Sequence, residues 1–295
     1  MLILNINGPI NAGKSTVSKI LVNMLSRATF IEVDDLMSEA EQEKRGLSLQ
    51  QGWRERHKRL NAKLQELKKS HEFETVIFAS PIADNTYQDW KALEDNQTHF
   101  LNITLAPSLA ECLKNRGTRV LNDWEKNRIR EMYEEGYQNR PYADFIINND
   151  HQTPKETAEV IKGFVEQALS PTQQWLHLVE RRWPGLLNGE KTSTFRFNEG
   201  FIHKGFLVYK DCPKEQWRAV VYVTGVYYLP LKKALETDGF DAHTPNAEIG
   251  LKQMQAHYPD MNLETPILLV KHFSVPETQK RYPDDVQRLL SLKKD

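Results

Sequence analysis

Cysteine, net charge and long apolar runs are scarce in this sequence, and each scarcity excludes a class of protein. Cys112 and Cys212 are the only cysteines among 295 residues, too few for a disulfide scaffold, which favours the reducing cytoplasm. The 39 lysines and arginines nearly balance 40 aspartates and glutamates, so no overall field would recruit nucleic acid. No apolar segment is long enough to cross a bilayer, and the N-terminus lacks the basic region of a signal peptide. We therefore expect a soluble cytoplasmic protein with no membrane partner.

The chain does contain enough apolar sequence for two domains. Hydrophobic residues make up 39% of it, and its length exceeds that of a typical single domain. Strand and helix patterns alternate up to residue 170, after which β-rich runs predominate. The sequence thus predicts one domain over residues 1–170 and a second over residues 171–295.

A glycine-bearing loop follows the first apolar run. Residues 2–6 have the pattern of a short buried strand, and residues 8–15, GPINAGKS, have the spacing G-x-x-x-x-G-K-[ST]. In that motif backbone N–H groups surround phosphate oxygens, the lysine reaches the β- and γ-phosphates, and the hydroxyl binds Mg²⁺. The alternative is an ordinary turn, but helical spacing from residue 15 onward would direct a helix N-terminus at the phosphates. We expect ATP and Mg²⁺ here, with contacts from Gly8, Asn11, Ala12, Gly13, Lys14, Ser15 and Thr16.

The rest of the first domain alternates between strand and helix patterns. Strands are expected at residues 29–33, 75–79, 100–105 and 144–147, and helices at residues 53–69, 108–115, 121–137 and 154–169. This alternation predicts an α/β fold with a parallel sheet and helices on both faces. Ligands of such sheets bind at the carboxyl ends of the strands, where the loop, Asp34 and Ser80 should converge.

Two carboxylates, Asp34 and Asp35, come directly after the second predicted strand. A phosphotransferase needs one carboxylate to orient or deprotonate the acceptor hydroxyl, and a further group to help hold Mg²⁺. We assign the first role to Asp34 and the second to Asp35, together with Ser15. The alternative is that the two aspartates cap the next helix, because aspartate is favoured at helix N-termini.

Two arginines, Arg116 and Arg119, flank Gly117 after a predicted helix. Guanidinium groups on a hinged segment can close over a triphosphate and neutralise the charge that develops during transfer. The alternative is an ordinary solvated surface. With Lys14 and Asp34, this pair completes the predicted catalytic set of the first domain.

The first 170 residues resemble the small P-loop kinases, in particular chloramphenicol phosphotransferase and its shikimate-kinase-like relatives. The resemblance is carried by ILNINGPINAGKST, by VDDL after the second strand, and by RPYADFIINNDHQTPKETAEVI. It implies that Asp34 is the acceptor base and that the loop at residues 149–154 lies beside the adenine. Ser80 stands where many P-loop enzymes have a second carboxylate, and residues 39–60, where acceptors usually dock, match no pattern of the family.

The second domain is expected to be a small α+β fold around a curved, mostly antiparallel sheet. Strand patterns occur at residues 192–197, 206–209, 219–226 and 267–273. In the first of these, period-two alternation places Thr194 and Arg196 on one face and Phe195 on the other, with Lys191 at the edge of the polar face. An activated nucleophile, a site for a phosphate or base edge, and an ordinary exposed strand all remain open.

This domain resembles the ASCH family over roughly residues 172–275. The resemblance is carried by WPGLLNGEKTSTFR and by a later strand that ends in HF. The family has a PUA-like β-barrel with a G-x-K-x-x-[E/T]-x-R signature, its members are inferred to bind RNA, and small members hydrolyse N4-acetylcytidine. The resemblance implies Lys191 as base, Thr194 as nucleophile and Asp238 as acid.

Together these patterns predict an ATP-dependent kinase of a small molecule, a nucleoside or nucleotide, fused to a module that binds a nucleoside or RNA. One alternative is an RNA-processing protein whose P-loop domain acts on RNA. Another is an antibiotic-modifying kinase. The oligomeric state is left open.

Overall fold

The computed structural model describes residues 1–115, 119–211, 217–240 and 244–292. The chain divides into two compact units, Met1–Lys162 and Gly163–Asp295, and the boundary falls within a helix, Pro154–Ala168. The domain boundary that we expect after residue 170 stays a prediction. Within the ranges described, no helix is both long and apolar enough to cross a membrane.

The first unit is built on five parallel strands. They are β1 (Leu2–Asn7), β2 (Ala28–Glu32), β3 (Thr75–Ala79), β4 (His99–Leu105) and β5 (Phe145–Ile147). Their order across the sheet is β2-β3-β1-β4-β5, and every pair in that order is parallel. All six residues of β1 are buried, as expected for a central strand of a parallel sheet. The predicted α/β fold with helices flanking a parallel sheet is confirmed.

Seven helices connect these strands within the described ranges. They are α1 (Lys14–Leu21), α2 (Glu39–Lys44), α3 (Leu49–Ser70), α4 (Asp84–Lys91), α5 (Leu109–Cys112), α6 (Asp123–Glu134) and α7 (Pro154–Ala168). Helix α3 begins earlier than its apolar spacing predicts, because Ser48 and Gln51 form a reciprocal capping box. The helical spacing of apolar residues continues to Leu25, but helix α1 ends at Leu21.

The core of the first unit forms where α3 and α4 cover the sheet. Leu60 and Leu64 of α3 and Trp90 of α4 pack with Phe78 of β3 in one buried cluster. Val33, which directly follows β2, joins the same cluster. This packing fixes the start of α3 and the turn after β2 near the carboxyl ends of the strands.

The described part of the second unit contains five strands. Its strands are β6 (Trp175–Leu178), β7 (Ser193–Arg196), β8 (Gly205–Asp211), β9 (Trp217–Pro230) and β10 (Pro266–His272). The order is β6-β8-β9-β10-β7; β6 and β8 are parallel and the other pairs are antiparallel. The prediction of a mostly antiparallel sheet is confirmed.

The helices of the second unit lie mainly toward its C-terminus. They are α8 (Trp183–Leu187), α9 (Leu231–Asp238), α10 (Ala247–Gln255), α11 (Val275–Arg281) and α12 (Pro283–Ser291). The charged, proline-bearing sequence from Pro276 onward predicts a peripheral segment, and this prediction is wrong. Val286 and Leu289 of α12 are buried against Val208 and Val220 of the sheet.

Candidate active site

Two glycines give the loop after β1 the backbone conformation that it needs. Gly8 has φ +138°, and a Cβ there would lie 2.4 Å from the carbonyl oxygen of Leu105 at the end of β4. Gly13 has φ +92° immediately before α1. Any other side chain at these positions would strain the loop or displace β4. The loop therefore leads into a helix N-terminus whose unpaired N–H groups can bind an anion.

Two asparagines tie this loop to the rest of the unit. Asn11 has φ +62°, which asparagine tolerates better than most residues, and its Nδ2 donates to the carbonyls of Cys112 at 2.8 Å and Lys114 at 2.9 Å. Asn149 is buried, and its Nδ2 donates to the carbonyl of Ala12 at 3.1 Å. The loop is thus joined to the end of α5 and to the segment after β5.

Lys14 is held inside the loop. Its Nζ donates to the carbonyl of Pro9 at 2.7 Å. Burial, together with the charge of Arg119, lowers the pKa of Lys14 to about 8, and Cys112, Asp34 and Glu32 act in the opposite direction. A desolvated cation attracts an anion more strongly than a cation in water does. Lys14 is therefore well placed to meet a phosphate.

The Ser15 hydroxyl contacts a carboxylate that we did not expect. It donates to Oε1 of Glu32, the last residue of β2, at 3.0 Å, and Lys19 Nζ lies 3.6 Å from Oε2. We expected Ser15 to act with Asp35, but Glu32 is the carboxylate that the structure places on this hydroxyl. The sequence contains a signal for Glu32, because a carboxylate at the end of a strand lies at the edge where α/β sheets bind ligands.

Asp34 and Asp35 lie in a 3₁₀ turn, Val33–Leu36, directly after β2, and both are exposed. Asp34 is close enough to Lys14 to raise the pKa of that lysine. The assignment of Asp34 as the acceptor base stays a prediction.

Arg119 belongs to the same electrostatic environment. Its positive charge lowers the pKa of Lys14, and its Nη2 donates to Glu125 of α6 at 2.7 Å. Arg116, the other member of the predicted pair, lies outside the described residues. The charges of Asp34 and Arg119 thus both act on the pKa of Lys14.

The oxygen atoms of Ser15 and Glu32 suit Mg²⁺. In phosphotransferases Mg²⁺ keeps several waters and takes one or two protein oxygens together with phosphate oxygens. Ser15 Oγ and the Glu32 carboxylate form such a pair, whereas Thr16, the next residue, is exposed on α1. Among the described residues, no three histidine, cysteine or carboxylate side chains form a metal-binding group by themselves. Ser15 and Glu32 are the residues that could hold Mg²⁺ bound to a nucleotide.

His57 and Ser80 extend the site on the acceptor side. His57 Nε2 on α3 lies 3.3 Å from Ser80 Oγ just after β3, and the Ser80 N–H donates to the carbonyl of Ile6 at 3.3 Å. Burial lowers the pKa of His57, so the imidazole is neutral at pH 7. We did not predict His57, although its spacing from Leu60 placed it on the apolar face of α3. Asp34, His57 and Ser80 are called the acceptor edge below.

The affinity for ATP is expected to fall as the pH rises through about 8. Lys14 is charged below its pKa of about 8, and only the charged form attracts phosphate oxygens. A bound triphosphate raises that pKa, so binding takes up about half a proton at pH 8 and about 0.9 at pH 9. Isothermal titration calorimetry in two buffers with different ionisation enthalpies measures this uptake.

The matched variant for this measurement is Lys14→Arg, because a guanidinium stays charged throughout this range. Its affinity for ATP is expected to be independent of pH between 7.5 and roughly 9.5. Proton uptake near zero for the wild type at pH 9, or an equal fall for the variant, would contradict the assignment to Lys14.

Thr194 in the second unit faces a buried polar cluster. Its side chain and that of Arg196 interact with the Tyr209 hydroxyl, which lies 3.3 Å from Nε2 of His272. Burial raises the pKa of Tyr209 to about 12 and lowers that of His272 to about 4, so both are neutral at pH 7. Phe195 packs in a different cluster. The predicted alternation along this strand is confirmed.

Asp238 lies on the other face of β7. Its Oδ2 accepts a hydrogen bond from Ser193 Oγ at 2.6 Å, and consecutive strand residues such as Ser193 and Thr194 point to opposite faces. Lys191 donates to the carbonyl of Ser193, and burial, with the charges of nearby arginines, lowers its pKa to about 8. The carboxylate of Asp238 acts on Lys191 in the opposite direction. The structure brings Lys191 and Asp238 into one environment, but places Asp238 and Thr194 on opposite faces.

The parallel sheet, the glycine-bearing loop and the lysine and hydroxyl at its mouth define a P-loop phosphotransferase. The model of the shikimate kinase family matches residues 10–166, more than half of the chain, and the chain belongs to this family. The first unit is therefore an ATP-dependent kinase of a small molecule. Kinases of this kind use ATP with Mg²⁺, which agrees with the expected cofactors.

Solved structures of several kinases and of a resistance protein are similar to this chain. Shikimate kinase from Acinetobacter baumannii in complex with shikimate is 18% identical, over 57% of this chain and 94% of its own, with a TM-score of 0.40. The tunicamycin resistance protein of Deinococcus radiodurans is 22% identical, over 57% and 96%, with a TM-score of 0.41. A gluconokinase from Sinorhizobium meliloti 1021 is 15% identical, over 53% and 86%, with a TM-score of 0.37. No curated protein matches the chain.

Proposed function

We propose that the first unit transfers the γ-phosphoryl group of ATP to a hydroxyl of a nucleoside-like small molecule in the cytoplasm. The observation that carries the proposal is the loop itself: Gly8 and Gly13 have positive φ angles, and Lys14, whose Nζ donates to the carbonyl of Pro9, begins the helix that follows. The charges of Arg119, Asp34 and Glu32 also act on the pKa of Lys14. A cation for the phosphates and a carboxylate for the acceptor are the groups that this reaction needs.

In this proposal Asp34 accepts the proton of the acceptor hydroxyl as the oxygen attacks the γ-phosphorus. A bond forms between that oxygen and phosphorus, the bond to the bridging oxygen breaks, and ADP leaves with the electron pair. Lys14 holds the β- and γ-phosphates, and Arg116 and Arg119 neutralise the charge that develops on the transferred group. Mg²⁺, when bound, supplies further positive charge at the phosphates. Ser15 would hold it with Glu32, and Asp35 remains a second candidate ligand.

An ADP-release screen of the full chain tests the proposed acceptor class. The candidates are nucleosides, nucleotides, short RNAs, and aminoglycoside- or phenicol-type antibiotics. We expect a nucleoside to stimulate ADP release above the acceptor-free rate. Stimulation by a short RNA alone would replace this proposal with RNA-end phosphorylation, and stimulation by an antibiotic alone would replace it with drug modification.

For the second unit we propose an ASCH module with a PUA-like fold that binds a nucleoside or RNA. Its mostly antiparallel sheet agrees with that fold. The polar face of β7 supports binding, because Thr194 and Arg196 lie beside the neutral Tyr209 and His272. Hydroxyl, guanidinium and imidazole groups can all read the edge of a base.

A second candidate function of this unit is amide hydrolysis. The observation that favours it is the pKa of Lys191, since an amine that titrates near pH 8 can act as a general base. In this hypothesis Lys191 accepts the proton of Thr194 as its oxygen attacks the acetyl carbon of N4-acetylcytidine. The bond from that carbon to N4 breaks, the amine takes up a proton and cytidine leaves, and water then releases the acetyl group from Thr194 as acetate. Asp238 is the proposed acid, and its contact with Ser193 would have to change to let it reach the leaving amine.

Thr194→Ala and Lys191→Ala in the full chain are each expected to abolish release of cytidine from N4-acetylcytidine. Each variant removes a group that the hydrolysis requires, whereas Lys14→Ala should leave the rate unchanged. The matched control is Thr192→Ala, which removes an exposed hydroxyl close to Thr194. Chromatography of the released cytidine gives the rates.

One result would show that the second unit binds RNA and does not hydrolyse the amide. If the wild type releases no cytidine but binds RNA with an affinity that falls steeply with salt, as phosphate contacts require, hydrolysis is wrong and the unit is an RNA-binding module.

A further inference from the structure

Side-chain hydrogen bonds join the loop after β1 to the start of α6. Asn11, in the loop, donates to the carbonyl of Lys114 at 2.9 Å. The next residue along the chain, Asn115, accepts the backbone N–H of Leu121 on its Oδ1 at 3.0 Å. Leu121 is buried and directly precedes Asn122, the N-cap residue of α6. The start of α6 is therefore linked to the loop by two successive hydrogen-bonded contacts.

A carboxylate in the first turn of α6 has two partners. Asn122 and Glu125 form a capping box, in which Asn122 Oδ1 accepts the N–H of Glu125 at 2.8 Å and Glu125 Oε2 accepts the N–H of Asn122 at 3.0 Å. The other oxygen, Oε1, accepts a hydrogen bond from Arg119 Nη2 at 2.7 Å. The N–H of Asn122 and the side chain of Arg119 lower the pKa of Glu125, so the carboxylate is charged at pH 7. One side chain thus completes the helix cap and holds the arginine.

The capping box gives this ion pair a fixed geometry. The Glu125 side chain is 17% exposed, whereas that of Arg119 is 52% exposed. An exposed ion pair between two mobile side chains contributes little to stability, because both side chains lose rotamer freedom when they pair. Here the helix cap already orders the carboxylate, so only the arginine has to be ordered. The contact therefore selects one orientation for a guanidinium that would otherwise sample many.

Arg119 can act on a phosphate while it is paired with Glu125. A guanidinium has five N–H donors, and Oε1 of Glu125 accepts from Nη2 alone. The positive charge of Arg119 also lowers the pKa of Lys14, so Arg119 acts electrostatically on the loop in this paired state. Donors that are fixed in place before a reaction stabilise its transition state without a cost of reorganisation. An arginine ordered in this way contributes more to catalysis than a mobile one.

We propose that Glu125 is a positioning residue for phosphoryl transfer, which orders the Arg119 guanidinium so that its other N–H donors meet the transferred group. This rests on the proposed function, in which Arg119 neutralises the charge on that group. Glu125 itself touches neither ATP nor the acceptor. Its effect on the reaction should pass entirely through Arg119, and this distinguishes a positioning role from a role in the stability of α6.

The test uses the full chain and a stable mimic of the transferred phosphoryl group. Aluminium fluoride bound beside ADP and Mg²⁺ resembles that group in the transition state, so it should tighten the binding of ADP. The measured quantity is the ratio of the ADP affinities with and without aluminium fluoride, both in Mg²⁺, from isothermal titration calorimetry. We expect Arg119→Ala to lower this ratio about 10²-fold and Glu125→Ala to lower it about tenfold, with the affinity for ADP alone within about threefold of the wild type. In the Arg119→Ala background, Glu125→Ala should change the ratio by less than about twofold.

Two neighbours of Glu125 provide matched controls. Asn122→Ala removes the other half of the capping box but leaves the carboxylate of Glu125 on Arg119. Asp123→Asn removes the same charge from the same turn of α6, where Asp123 is fully exposed. Both variants should keep the ratio within about twofold of the wild type. Circular dichroism shows whether each variant is folded, and ADP release with the nucleosides of the screen measures turnover at the acceptor edge separately.

The outcomes separate this proposal from the proposed function. An unchanged ratio in Glu125→Ala overturns it, as does a higher ratio, which would mean that the pair holds Arg119 away from the phosphates. An equal loss in Asn122→Ala or Asp123→Asn also overturns it, because the effect then belongs to the helix cap or to charge alone. If aluminium fluoride fails to tighten ADP binding in the wild type, or if Arg119→Ala leaves the ratio unchanged, Arg119 does not meet the transferred group and the proposal is wrong. A loss in Glu125→Ala that disappears in the Arg119→Ala background supports it, even if no acceptor stimulates ADP release and the proposed phosphotransfer is wrong.

Discussion

Lys14→Ala is expected to reduce acceptor-dependent ADP release by about 10²–10³-fold or more, because it removes the cation that meets the β- and γ-phosphates. The buried ammonium is hydrogen-bonded to the loop carbonyl of Pro9, and no core side chain is lost with it. The fold should therefore survive. Steady-state kinetics measure the loss, and circular dichroism shows whether the variant is folded.

The matched control for this variant is Lys155→Ala. Lys155 is an exposed lysine at the start of α7, paired with Glu159 at 3.8 Å, so its loss removes one positive charge away from the loop. Its activity should stay within about twofold of the wild type, as expected for a surface substitution. ADP release by Lys14→Ala near the wild-type rate would mean that the loop does not serve phosphotransfer.

Asp34→Asn is expected to lower acceptor-dependent turnover by about 10²-fold or more, with little change in the affinity for ATP with Mg²⁺. The amide keeps the shape of the side chain but cannot take the proton of the acceptor. The measurement is kcat/KM for the acceptor alongside a separate titration with the nucleotide.

Two further variants distinguish the roles of the neighbouring carboxylates. Asp35→Asn makes the same chemical change one residue away; because Asp35 is a candidate Mg²⁺ ligand, the variant should need more Mg²⁺ but keep most of its kcat once Mg²⁺ is saturating. Glu32→Gln weakens the carboxylate on Ser15 and should raise the Mg²⁺ concentration that activity needs. If Asp34→Asn instead loses ATP and Mg²⁺ binding, Asp34 belongs to the metal site and Asp35 becomes the candidate base.

The backbone conformation of the loop after β1 could be predicted from the sequence, because glycine spacing encodes it directly. Gly8 and Gly13 have the positive φ angles that the motif requires. The strand at residues 75–79 was also predicted correctly, since a continuous apolar run in a parallel sheet has a clear signature.

Contacts between distant segments could not be predicted in this way. The place of Glu32 at the end of a strand indicates the ligand-binding edge, but its contact with Ser15 follows from packing between elements. His57 is separated from Ser80 by the rest of α3 and all of β3, so their contact follows from packing rather than from a motif.

In the second unit, the contact that Asp238 makes could not be predicted from the sequence either. Period two correctly separates Thr194 from Phe195, but it carries no information on where α9 ends. Asp238, the last residue of that helix, meets Ser193 rather than Thr194. The burial of the C-terminal segment could be predicted from Val286 and Leu289, whose spacing is that of one helix face. The many charged residues of the segment favour a surface position instead.

Phosphorus NMR of the full chain with ATP, Mg²⁺ and the preferred acceptor tests directly whether the γ-phosphoryl group is transferred. We expect the γ-phosphate signal of ATP to be replaced by a phosphate monoester signal of the acceptor as ADP appears. Lys14→Ala should show neither change. If inorganic phosphate is the only new signal with every acceptor, the protein hydrolyses ATP without transferring the phosphoryl group, and the proposed kinase reaction is contradicted.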